Sequence, residues 1–98
     1  MSAREIEEVI ARHPQIGEVA VVAAPHPRLG EEPAAFLSVT GAGPDDRELA
    51  DFLRAEGLAR HKVPRTWVRL DHLPRTSSGK VKKYELVAQL PARSARDS

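Results

Sequence analysis

The chain has 98 residues, fifteen Lys and Arg against fourteen Asp and Glu for a formal charge of +1, and no cysteine. That length fits one small domain burying roughly 60–65% of its unfolded surface, and 41% hydrophobic with 30% charged residues marks it as globular. The balanced charge argues against nucleic acid as the main partner, the lack of cysteine excludes a disulfide framework and a thiolate metal centre, and without an apolar run of membrane-spanning length or a signal peptide the expectation is no membrane partner and a cytoplasmic location.

Ser2-Ala3-Arg4-Glu5 has the form of a capping box, and Ile6, Val9 and Ile10 follow at helical spacing. Pro14 is expected to end this helix. Val19–Ala24 is an unbroken, Val-rich apolar run between Gly17 and Pro25, too short for a typical helix, and reads as a central strand covered on both faces. After the turn residues Pro25 to Gly30, a second strand is expected over Ala34–Thr40, and the short connection predicts an antiparallel pair. Gly41 to Pro44 breaks it. Asp45 or Asp46 caps a second helix whose buried face is Leu49, Phe52 and Leu53 and whose end is marked by Gly57. A third strand, of edge type, is expected over Thr66–Asp71, and a last helix over Val81–Leu90. The predicted fold is α+β: a small three-stranded sheet packed with three helices in the order α-β-β-α-β-α. Residues 2–90 form one domain, and residues 91–98 read as a frayed polar tail.

Little in the chain suggests self-contained catalysis. The histidines at 13, 26, 61 and 72 do not stand at metal-ligand spacing, so no metal site is expected. No Gly-x-Ser-x-Gly elbow is present. Gly79-Lys80 is not a Walker loop, because Pro74 and Val81 stand where that motif needs Gly and Ser or Thr. What stands out is Leu73-Pro74-Arg75-Thr76-Ser77-Ser78-Gly79-Lys80-Val81: a Pro, a hydroxyl-rich run that resists regular structure, a Gly and one lysine. Such a loop can carry a compact ammonium to a phosphate or carboxylate oxygen in another domain's site. On these residues alone the favoured reading is a solvated loop with an ordinary surface lysine.

Five stretches, in order, decide between these readings. Glu5-Ile6-Glu7 with His13-Pro14-Gln15-Ile16, Val19-Ala20-Val21-Val22, Pro25 to Glu31, Lys62-Val63-Pro64-Arg65, and Leu73 to Val81 resemble the C-terminal domain of adenylate-forming enzymes: acyl-CoA synthetases, aryl-acid ligases and peptide-synthetase adenylation domains. Ser78, where peptide-synthetase domains usually carry Asn, and the stretch Gly57 to Lys62 resemble the acid–CoA ligases more. Lys83 stands where the family commonly has Arg, so a forked contact there is weakened.

The resemblance implies a mobile lid on a large N-terminal adenylation domain that lies outside this chain. ATP, with Mg, and a carboxylic acid give acyl-adenylate and pyrophosphate; the thiol of CoA then displaces AMP. Lys80 is the implied catalytic residue for the first step, supported by Thr76, Ser77, Ser78 and Gly79. The lid is expected to rotate before the second step and present another face to the thiol, with Lys62 and Arg65 as candidates for CoA phosphates or the interdomain contact. The loop also resembles the site at which bacterial acetyltransferases silence acyl-CoA synthetases, so Lys80 is a candidate for acetylation. The chain is read as an excised domain, expected to be inactive alone. The alternatives are a free-standing partner of a split ligase, an aryl- or acyl-acid adenylating fragment that loads a carrier protein, and a non-catalytic module using Lys80 to Lys83 on anionic partners.

Overall fold

The structure is a computed structural model that describes residues 2–28 and 30–90. The elements run α1 (Ala3–Ile10), β1 (Ile16–His26), β2 (Gly30–Val39), α2 (Asp46–Ala55), β3 (Thr66–Arg69) and α3 (Lys83–Ala88), with a 3₁₀ turn at Arg60–Lys62. This is the expected α-β-β-α-β-α order. The expected tail, 91–98, lies outside the described residues.

Helix α1 forms because Ile6, Val9 and Ile10 make one buried stripe, and the Ser2 hydroxyl accepts the Glu5 N–H at 3.3 Å. The expected box is half realised, since the Glu5 carboxylate instead takes Lys62 Nζ at 2.8 Å. The helix stops ahead of Pro14, tightening through N–H bonds from Arg12 to Val9 and from His13 to Ile10. Helix α2 has a full capping box between Asp45 and Glu48. Past its end, Gly57 at φ +93° lets Leu58 N–H reach the Leu53 carbonyl and Gly57 N–H reach that of Arg54, a Schellman closure.

The sheet order is β1-β2-β3, so β2 and not β1 is central. β1 pairs antiparallel with β2 through the hairpin, and β3 pairs parallel with β2 over Ala34–Leu37 after the crossover through α2. The two-sided apolar character of β1 thus reflects helices above and below, rather than strands on both edges. The edge position also admits Pro25 inside β1. Pro33 is admitted in β2 because β3 joins one residue later, at Ala34.

Alternation along β1 and β2 sends side chains into two cores. Val21, Ala35 and Leu37 meet Ile6, Ile10, Leu49 and Leu53 of α1 and α2 on one face. Ala20, Val22, Ala34 and Phe36 meet Leu73 and Leu86 on the other. The second core therefore anchors both ends of the segment between β3 and α3, which carries Lys80. Among the described residues no helix is long and apolar enough to cross a membrane.

Candidate functional site

The segment expected to resist regular structure is an ordered hairpin. Arg75 and Val81 form an antiparallel bridge, Thr76 N–H donates to the Lys80 carbonyl at 2.8 Å, and Gly79 N–H donates to the Thr76 carbonyl at 2.9 Å. Gly79 sits at φ +91°, the left-handed geometry that lets so short a turn rejoin the ladder. The hydroxyl run reinforces the turn: Thr76 Oγ1 accepts the Lys80 N–H at 3.2 Å and lies 2.9 Å from Ser78 Oγ. Short polar side chains in this spacing bond the local backbone rather than loosen it. At the base, Lys82 N–H donates to the Pro74 carbonyl at 2.8 Å, and Leu73 is buried. Because Val81 belongs to the hairpin, α3 begins at Lys83, two residues later than expected.

Lys80 is exposed on this hairpin. The chain has four lysines, and three are held by carboxylates: Lys62 by Glu5 at 2.8 Å, Lys82 by Glu85 at 3.4 Å and Lys83 by Glu7 at 2.8 Å. Among the described residues none neutralises Lys80. A fixed backbone with an uncompensated ammonium at the end of a flexible stem is suited to an anionic oxygen supplied from outside.

Lys62 and Arg65 are not part of this hairpin. Lys62 lies in the 3₁₀ turn and is tied to α1 through Glu5. Arg65 is exposed and lines a cleft of about 520 Å³ with Arg47, Arg54, Arg60 and the half-buried Trp67. Among the described residues no group of three His, Asp or Glu side chains is placed to hold a metal ion.

Two residues that govern the hairpin escape a reading of the sequence. Glu18 Oε1 accepts from Arg75 Nη2 at 3.0 Å and Nε at 3.2 Å, and His72 Nδ1 lies 3.5 Å from Oε2. Arg75 in turn donates through Nη1 to the Gly79 carbonyl at 2.9 Å. The Arg75 hydrogen bonds hold the Glu18 carboxyl below its ordinary range, with help from the Leu73 backbone and against the opposing effect of burial. The only sequence signal is a lone carboxylate beside a glycine at the head of an apolar strand; its partner lies 57 residues away.

The family model for the AMP-binding enzyme C-terminal domain matches residues 5–80. The chain is 46% identical over 96 residues to Triostin synthetase I of Streptomyces triostinicus, covering 98% of this chain and 18% of that protein. It is 40% identical over 89 residues to a 2-methylpropanoate–CoA ligase of Humulus lupulus, covering 88% and 16%. Its fold superposes on the apo structure of MbtA from Mycobacterium smegmatis with a TM-score of 0.86 and 36% identity, covering 91% of this chain and 17% of that one. The chain thus spans less than a fifth of the length of these relatives. With the family model matched over most of the chain and the fold superposing on a solved relative, this chain belongs to the AMP-binding enzyme C-terminal domain family, the C-terminal domain of adenylate-forming ligases.

Proposed function

We propose that this domain is the mobile lid of an ATP-dependent carboxylic acid–CoA ligase and that Lys80 is its catalytic residue for acyl-adenylate formation. The observation that carries the reading is the uncompensated Lys80 ammonium on an ordered hairpin, beside three lysines each held by a glutamate. In the first step a carboxylate oxygen attacks the α-phosphorus of ATP, the bond to pyrophosphate breaks, and charge is redistributed over the phosphoryl oxygens. A preplaced cation stabilises that charge without reorganising. The hairpin supplies one such cation, while the nucleotide, its magnesium and the acyl pocket belong to the large adenylation domain. Thr76, Ser78 and Gly79 act by fixing the Lys80 backbone, and Ser77 occupies the exposed turn. With its backbone so fixed, Lys80 leaves the site by movement of the whole domain rather than of the loop.

The decisive test is single-turnover kinetics of each half-reaction in the ligase that joins this domain to its large partner. Lys80→Ala is expected to slow acyl-adenylate formation by about 10²–10³-fold and to leave thioester formation from preformed acyl-adenylate near normal. Equal losses in both halves overturn the reading, as does ATP-dependent pyrophosphate release by this chain alone.

For the second step Arg65 is the better placed of the two expected contacts to CoA phosphates. It shares its cleft with Arg60 and Arg47, whereas Lys62 is already paired. Arg65→Ala should raise the KM for CoA at low salt while Lys62→Ala changes it little; an unchanged KM in Arg65→Ala removes this assignment. A second reading, in which the acyl group passes to a carrier-protein thiol, rests on the resemblance of the same five stretches to peptide-synthetase adenylation domains. Thioester formation on a carrier protein but not on CoA would establish it.

A further inference from the structure

The assignment of Lys80 leaves open what sets the hairpin's position relative to the sheet. The answer begins at an irregularity in β1. Ile16 pairs with Val39, but Glu18 pairs with Ser38, so Gly17 is one extra residue on β1. Strict alternation would place Ile16 and Glu18 on the same face. The extra residue lets Ile16 pack into the first core while Glu18 shares the parity of Ala20 and Val22, which face the hairpin side. Bulges of this kind re-aim a side chain.

Glycine is suited to the bulge by close approach. A Cβ at Gly17 would stand 3.0 Å from Ser38 Oγ, and that hydroxyl accepts the Glu18 N–H at 2.8 Å. The bulge thus has its displaced backbone donor satisfied by a buried serine. From there Glu18 takes two N–H groups of Arg75, and the remaining arm of the guanidinium reaches the carbonyl of Gly79, the residue bonded to Lys80. One planar group is therefore fixed at both ends, to the sheet and to the far arm of the hairpin. Only an arginine fork can make these contacts together.

We propose that Glu18, aimed by the Gly17 bulge and acting through Arg75, is a positioning residue that sets where the Lys80 ammonium stands during acyl-adenylate formation. This rests on the catalytic role of Lys80 given above. Surface ion pairs add little to stability, but a displacement near 1 Å at a reacting group can cost roughly 10²-fold in rate. A positioning role therefore predicts a large kinetic effect with a small effect on folding.

The test uses Glu18→Gln, which keeps the shape of the side chain and removes its charge, beside Arg75→Lys and Lys80→Ala in the joined ligase. Glu18→Gln and Arg75→Lys are expected to slow acyl-adenylate formation by about 10–100-fold, with thioester formation from preformed acyl-adenylate unchanged. Arg75→Lys should fail to rescue, since an ammonium cannot hold Glu18 and Gly79 at once. In the 98-residue chain, hydrogen exchange at the Thr76 amide should quicken in Glu18→Gln while the amides of α1 and α2 keep their protection. If Lys80→Ala is slow and Glu18→Gln is as fast as wild type, the positioning role falls and the function of Lys80 stands. If Lys80→Ala leaves acyl-adenylate formation intact, both fall together. Equal slowing of both half-reactions, or unchanged Thr76 exchange, also overturns the positioning role.

Discussion

At the scale of single residues, the chemistry of this domain comes down to which charges are compensated. Glu5, Glu7 and Glu85 hold Lys62, Lys83 and Lys82, and Glu7 also accepts the Val21 N–H at 2.7 Å, tying α1 to the β1 strand. Lys83 thus joins α3 to α1. Lys80 lacks such a partner among the described residues and projects from a surface loop, which leaves its ammonium open to chemical modification. Acetylation would remove its charge and keep most of its stem. Stoichiometric acetyl-Lys80, confirmed by mass spectrometry, should depress acyl-adenylate formation as Lys80→Ala does and spare the thioester half-reaction; full activity of the acetylated ligase refutes the switch. The Gly-Lys pair was plain in the sequence. That its neighbours fix its backbone was not, because Thr, Ser and Gly promote loose loops and tight turns alike, and only the bridge from Arg75 to Val81 distinguishes them.

At the scale of elements, each connection is closed by a residue suited to its backbone. Gly79 is the sharpest case, with φ +91° and open space around it. Gly79→Ala therefore meets no steric neighbour and tests backbone strain alone. Placing an L side chain there should cost about 1–2 kcal/mol, read as a lower urea midpoint at unchanged slope. Stability equal to wild type would mean that the turn readily adopts another form. The caps of α1 and α2 and the stop at Gly57 were legible because they depend on residues within one turn of each other. The boundaries of β1 and β2 were not: both strands run further than their apolar stretches, as hairpin pairing continues through Pro25, Glu31 and Glu32.

At the scale of the whole molecule, the sheet divides the apolar residues between two cores, and the ion pair from Glu18 to Arg75 joins β1 to the segment beyond β3. Because the folded protein holds the Glu18 carboxyl below its ordinary range, the unfolded chain binds the proton more readily. This contribution is complete above the unfolded pKa and is lost as pH falls through the lower folded value. The groups facing Glu18 are Arg75 and the exposed His72. The difference in urea midpoint between wild type and Glu18→Gln should therefore be constant near neutrality and shrink on acidification below about pH 4. A difference that grows towards acid pH contradicts this assignment.

The sequence by itself determined the fold class, the order of six elements and the candidate lysine. These follow from short-range facts: apolar spacing, caps, breakers and a contiguous loop. The relatives it matches and the family it belongs to agree with that order. Only the tertiary structure decided that β2 is central, since pairing partners depend on where a crossover returns the chain. It alone showed that Lys62 is held by Glu5 and that the lysine hairpin is held by Glu18, for both contacts span 57 residues. An ion pair at that separation leaves no local pattern in the chain; it exists because two cores on opposite faces of one sheet bring its ends together.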